Sequence, residues 1–126
     1  MSSVPDDLRY TKDHEWLKPA GDGTALVGIT DYAQESLGDI VYVELPKPGA
    51  KFAAGAPFGV VESVKAASDL YMPVAAEVIE ANSTLESMPE LVNEVPYGAG
   101  WMLKVRLTDP AAAAKLLDAA EYQKLI

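Results

Sequence analysis

Apolar positions in this chain come in short runs rich in Val, Ile, Leu, Tyr and Trp, and Gly or Pro interrupts them at frequent intervals. That rhythm predicts small antiparallel sheets rather than long helices. Glu15 to Lys18 and Thr24 to Thr30 flank Gly21-Asp22-Gly23, whose glycines supply the positive φ angles of a tight hairpin, so these two runs should pair. Ile40 to Leu45 reads as a strand halted by Pro46-Lys47-Pro48-Gly49, since proline offers the ladder no amide. Phe58 to Ser63, Ser68 to Pro73, Glu77 to Glu80 and Trp101 to Leu107 complete a count of six or seven strands.

Two helices interrupt this pattern. Asp31 with Gln34 resembles a capping pair and Gly38 a stop, so 31–37 should be a short helix. Asp109 can cap and Pro110 suits a first helical position, so a terminal helix should run over about 110–126 and dock through Leu116, Leu117, Leu125 and Ile126. The stretch from Asn82 to Gly100, with Pro89, Pro96, Gly98 and Gly100, reads as a long surface connection holding at most a turn of helix at 90–93. Trp16, Tyr42, Phe58, Tyr71, Tyr97 and Trp101 are expected to pack in the core and at its rim.

The 126 residues, 49% hydrophobic, suit a single domain over 1–126. Nineteen acidic against ten basic residues give a net charge of −9, which repels nucleic-acid phosphates and favours basic partners. No apolar run approaches the roughly 20 residues of a membrane span, and the first ten lack a signal-like pattern, so a soluble cytoplasmic protein is expected. With no cysteine and a single histidine, disulfides, a thiol nucleophile and Cys/His zinc sites are excluded. His14 has no serine in a Gly-x-Ser-x-Gly turn to work with and reads as structural. No phosphate-binding glycine loop is present.

One lysine stands out. Lys65 lies between two mainly apolar runs, in Val61-Glu62-Ser63-Val64-Lys65-Ala66-Ala67-Ser68-Asp69, which places it at a hairpin tip near 63–68. An amine held out on a turn can be acylated and then carry a cofactor on a flexible stem.

The wider sequence gives that lysine its context. Tyr10-Thr11-Lys12-Asp13-His14-Glu15-Trp16, the run from Val27 to Gln34, Leu37-Gly38-Asp39, Val43-Glu44-Leu45-Pro46 and the run from Val61 to Asp69 resemble, in order, the H protein family of the glycine cleavage system. Leu91-Val92-Asn93, Pro96-Tyr97-Gly98 and Gly100-Trp101-Met102 extend the likeness, which covers about Leu8 to Leu125. The resemblance implies a biotinyl/lipoyl carrier fold, mainly β, a flattened barrel-sandwich of two small antiparallel sheets with short helices and a C-terminal helix. It also implies lipoate in amide linkage to Lys65. Val64 and Ala66 flank the lysine where biotin carriers have methionines.

The implied partners are a pyridoxal-phosphate glycine decarboxylase, a tetrahydrofolate-dependent aminomethyltransferase, a flavin dihydrolipoamide dehydrogenase and a lipoate-attaching enzyme. The protein itself would be a non-catalytic carrier. A lipoyl-lysine arm reaches on the order of 14 Å, and its loaded end would be a cationic amine suited to a carboxylate partner. The resemblance puts that contact on Glu15 and Asp69, with Asp13 nearby, and gives Glu62 a role in recognition by the attaching enzyme. Two departures from the family pattern appear: Ala75-Ala76-Glu77 where a small residue and Gly are common, which would strain Ala76 if φ were positive, and bulky Tyr71. A lipoate relay or 2-oxo-acid dehydrogenase module, and an unmodified β scaffold that binds a partner, remain open as alternatives.

Overall fold

The computed structural model describes residues 3–126. Its strands form two antiparallel sheets that face each other across one apolar core. In chain order the strands are β1 Arg9–Tyr10, β2 Glu15–Pro19, β3 Thr24–Ile29, β4 Ile40–Glu44, β5 Lys51–Phe52, β6 Pro57–Ser63, β7 Ala67–Tyr71, β8 Ala76–Ala81 and β9 Leu103–Leu107. The larger sheet has the order β1-β2-β3-β9-β8-β5 and the smaller β4-β6-β7. The sheets are not closed into a barrel, so of the expected barrel-sandwich only the sandwich is realised.

Alternation builds the core. Leu17, Val27, Val105 and Val78 point inward from the larger sheet, and Val43, Val61 and Leu70 from the smaller, all nearly inaccessible to solvent. At about 25 cal/mol per Å² of apolar surface, each such side chain contributes on the order of 2 kcal/mol.

The strands missing from the sequence reading, β1 and β5, have only two residues each, too few to show alternation. The first helix, α1 Asp31–Leu37, is where the pattern puts it, but its cap is Thr30, whose Oγ1 accepts the amide of Ala33 at 3.2 Å. Asp31 instead accepts Gln34 Nε2 at 2.7 Å. The stretch from Asn82 to Gly100 is more ordered than a surface connection. It holds α2 Thr84–Ser87 and α3 Leu91–Glu94, which anchor it through fully buried Leu85 and Val92.

The terminal helix comes in two pieces. A 3₁₀ segment Pro110–Lys115 ends where Leu116 turns extended, and α4 Ala119–Gln123 starts at a capping box between Asp118 and Glu121. The break has a cause. Leu117 exchanges both backbone hydrogen bonds with Tyr10, at 2.8 and 2.9 Å, a strand-like bridge that no helical residue could make. Docking follows expectation at Leu116 and Leu117, half-buried against the two core clusters, and differs beyond them. Ala119 and Tyr122 are buried in a second cluster with Leu8, Tyr10 and Trp16, whereas Leu125 and Ile126 are exposed.

No strain arises at Ala76. Among the described residues the one non-glycine with positive φ is His14, at 70°, and Ala76 starts β8 in regular pairing with Phe52 and Leu107.

Candidate functional site

The strands β6 and β7 form a hairpin whose tip is Val64, Lys65 and Ala66. Three contacts shape it. The Ser63 amide donates to the Ala66 carbonyl at 2.7 Å, and Ser63 Oγ accepts the amides of Lys65 and Ala66 at 3.3 and 3.1 Å. The Val64 amide donates to the Asp39 carbonyl at 3.0 Å, which ties the tip to the segment between α1 and β4.

That segment is itself held by Asn93 of α3. Its Oδ1 accepts the Ile40 amide at 2.8 Å, while Nδ2 donates to the Gly38 carbonyl at 2.8 Å and to Gln34 Oε1 at 2.9 Å. Asn93 therefore supports the tip through one intermediate, a role that sequence reading did not assign. The only signal was its place in Leu91-Val92-Asn93.

Lys65 is exposed, and among the described residues its amine has no carboxylate partner within ion-pair distance. Its stem passes Gly38, where a Cβ would lie 3.5 Å from Lys65 Cε. The tip is thus rigid in its backbone and free in its amine. A covalent lipoyl group fits here, because acylation of an exposed, unpaired amine displaces no contact.

Of the predicted carboxylates, Glu15 is the one the fold singles out. It is only 2% exposed, accepts Thr11 Oγ1 at 2.7 Å and accepts the Tyr71 amide at 3.4 Å, across from one sheet to the other. Burial pushes its carboxyl up to about 7 from the ordinary 4.5, against the two hydrogen bonds that favour the anion; the nearby charge of Asp13 adds to the rise. Asp13 is exposed and meets Glu15 only as a charge, its amide being taken by Thr11 Oγ1 at 3.2 Å. Tyr71 marks the far end of β7, about 13 Å of strand from Ala67 at the base of the tip.

Asp69 and Glu62 lie elsewhere. Register pairs Asp69 with Val60 and Glu62 with both Ala67 and Tyr42, so both carboxylates stand on the outer face of the smaller sheet, and both are exposed. No hydrogen bond links Asp69 to Glu15 among the described residues.

His14 proves structural. Its Nδ1 shares a 2.8 Å hydrogen bond with the Tyr122 hydroxyl, which shares another of 2.7 Å with Thr30 Oγ1. Burial lowers the imidazole below its usual range and raises the Tyr122 phenol to about 12, so the network is neutral. The aromatic expectation holds for Trp16, whose indole is buried and donates to the Pro96 carbonyl at 3.0 Å. It fails for Tyr42, which is 47% exposed because it sits on the uncovered face of β4.

A sandwich that presents an exposed lysine on a braced hairpin, with a buried carboxylate at the edge between its sheets, is a carrier domain. The sequence profile of the family described as glycine cleavage H-protein matches residues 8–126. The chain is 63% identical over all 126 residues to a glycine cleavage system H protein of Opitutus terrae, covering 99% of that relative. It is 59% identical over 124 residues to that of Laribacter hongkongensis, covering 98% of both chains. The crystal structure of such a protein from Mycobacterium marinum superposes with a TM-score of 0.87 at 42% identity, covering 96% of this chain and 97% of the other. The chain belongs to the glycine cleavage H-protein family.

Proposed function

We propose that this chain is the lipoyl carrier of a glycine cleavage system and that Lys65 is the residue that bears the lipoate. The observation that carries the assignment is Lys65 itself, exposed and unpaired at the tip of a hairpin braced by Ser63 and Asp39. When attached, lipoate supplies a disulfide that accepts an aminomethyl group at the glycine decarboxylase, yields its carbon at the aminomethyltransferase and is closed again by dihydrolipoamide dehydrogenase. The carrier catalyses none of these steps. Its residues provide tethering, and with it a high effective concentration of cargo.

Acylation takes the formal charge from −9 to −10, since one lysine cation is lost. Glu15 is placed to receive a cationic arm end. Its carboxyl is desolvated, and burial holds a large share of it protonated near neutral pH, so a nearby ammonium would favour the ionised form and gain a charge-assisted hydrogen bond. Asp69 contributes long-range negative charge from the outer face and exposed Asp13 from close to Glu15. Glu62 faces whatever protein approaches the lysine from that side. We place the protein in the cytoplasm.

Intact-mass measurement with peptide mapping tests the assignment. Co-expressed with a lipoate ligase and supplied with lipoate, the chain should gain one lipoyl group, on Lys65. Lys65→Arg should stay folded and gain none. An adduct elsewhere, or none while a competent control carrier is modified, would refute the assignment and favour an unmodified scaffold.

A further inference from the structure

A chain of side-chain hydrogen bonds runs from α1 to the lysine tip, and each link has a fixed direction. At its far end Asp31 Oδ2 accepts the Ser3 amide at 2.9 Å, while Oδ1 accepts Gln34 Nε2 at 2.7 Å. Gln34 Oε1 in turn accepts Asn93 Nδ2 at 2.9 Å. Asn93 closes on the segment beside the tip, where Nδ2 also donates to the Gly38 carbonyl and Oδ1 accepts the Ile40 amide. Between those two residues lies Asp39, whose carbonyl takes the Val64 amide at 3.0 Å. Asp31, Gln34 and Asn93 are all half-buried.

The direction follows from the groups themselves. A carboxylate only accepts, so Gln34 turns its NH2 toward Asp31 and its carbonyl toward Asn93. The backbone at the other end imposes the same order, because a carbonyl at Gly38 and an amide at Ile40 admit one orientation of the Asn93 amide. Both ends agree only while position 31 is a carboxylate. A side-chain amide there has a single acceptor oxygen, which can serve Ser3 or Gln34 but not both. If it turns its NH2 toward Gln34, that side chain must turn over, and two NH2 groups then meet at Asn93. The helix makes no such demand, since its cap is Thr30.

Resting on the reading of Lys65 as the attachment residue, we infer that Asp31 and Gln34 are positioning residues for its acylation: through Asn93 they hold the segment 38–40, and with it the Val64 amide, in the form that the acylating enzyme receives. In that step the Nζ–acyl bond forms as the amine gives up a proton and adenylate leaves the lipoyl adenylate. Neither residue touches the reacting atoms. A tip already ordered loses less conformational freedom when the enzyme closes on it, so the contribution falls on KM rather than on kcat.

The test pairs amide exchange of the purified apo chain with its steady-state lipoylation by a lipoate ligase, ATP and lipoate. Asp31→Asn should quicken exchange at Val64 and Ile40 about tenfold beyond what any change in global stability explains. It should also raise KM for the carrier about fivefold, with kcat within about twofold of wild type. Gln34→Glu should act in the same direction, because two carboxylates then face each other with no proton between them. Together the two substitutions should cancel: the new amide at 31 donates to the new carboxylate at 34, which still accepts Asn93 Nδ2, and the oxygen at 31 is left for Ser3. The double variant should return to within about twofold of wild type in both readouts, a rescue that mere loosening of α1 would not give. Asp7→Asn, exposed before β1, makes the same charge change as Asp31→Asn and should alter neither.

Additive losses in the double variant would overturn the inference, as would exchange at Val64 that only follows global unfolding, or faster exchange with KM unchanged. Should a single variant unfold, the double variant decides alone, by matching wild type or failing to. If wild type gains no lipoyl group, the attachment reading falls and the role in acylation with it; if wild type and all variants gain it with equal KM, only the positioning role is wrong.

Discussion

The carboxylate of Glu15, on β2, accepts the backbone amide of Tyr71, on the outermost strand of the opposite sheet, at 3.4 Å. A buried acid thus joins the two layers at one edge of the sandwich.

The linkage has a pH signature. Glu15 ionises near the ordinary 4.5 when unfolded and at about 7 when folded, so between those values the folded chain binds more protons than the unfolded one. Stability from this group is complete below about pH 4.5 and is lost as pH rises through about 7, on the order of 3 kcal/mol in all. Urea unfolding across pH 4 to 8 should show wild type losing stability relative to Glu15→Gln over that window and running parallel to it above. A constant difference would mean that Glu15 titrates normally.

How much of this was legible in the sequence follows from the range of the interactions. The Lys65 hairpin, the Gly21 to Gly23 turn and α1 are set by neighbours in the chain, and local pattern found them. The capping of α1 was shifted by one residue, because Thr30 and Asp31 are both good caps and only tertiary bonds to Tyr122 and Tyr97 decide between them. Nothing local distinguishes Leu117 from its helix-forming neighbours; its bridge to Tyr10 spans almost the entire chain. Glu15 and Asp69 were paired by family likeness, whereas strand alternation puts one inside and the other on the bare face.

The Tyr122 hydroxyl has one proton for two partners, so it donates to one of His14 Nδ1 and Thr30 Oγ1 and accepts from, or merely abuts, the other. Tyr122→Phe keeps the ring stacked on Tyr10 at 4.7 Å but leaves buried polar atoms without that partner. A loss of about 1–3 kcal/mol is expected. Amide exchange should rise most at Thr30 and around His14, and a uniform rise would argue for simple loosening of the tail.

Trp16 lies flat over Gly28 of the neighbouring strand, and a Cβ there would fall 2.6 Å from Trp16 Cζ2. In Gly28→Ala the indole must move, weakening its bond to the Pro96 carbonyl. Overpacking of this kind costs about 1–3 kcal/mol. Near-ultraviolet circular dichroism should change in the tryptophan band together with a lower Tm. An unaltered spectrum would show that the ring accommodates the methyl group in place.

Asn93→Ala separates support of the lysine tip from the lysine itself. The substitution leaves the Ile40 amide and the Gly38 carbonyl without their side-chain partner, at a cost of about 1–3 kcal/mol. Because Asp39 lies between those two residues and accepts the Val64 amide, the tip should lose part of its brace. Hydrogen exchange at Val64 should quicken by more than the fall in global stability explains, while Lys65, exposed in either case, remains open to acylation. Exchange at Val64 that merely follows global unfolding would mean that Ser63, through its bonds to Lys65 and Ala66, holds the hairpin without help from α3.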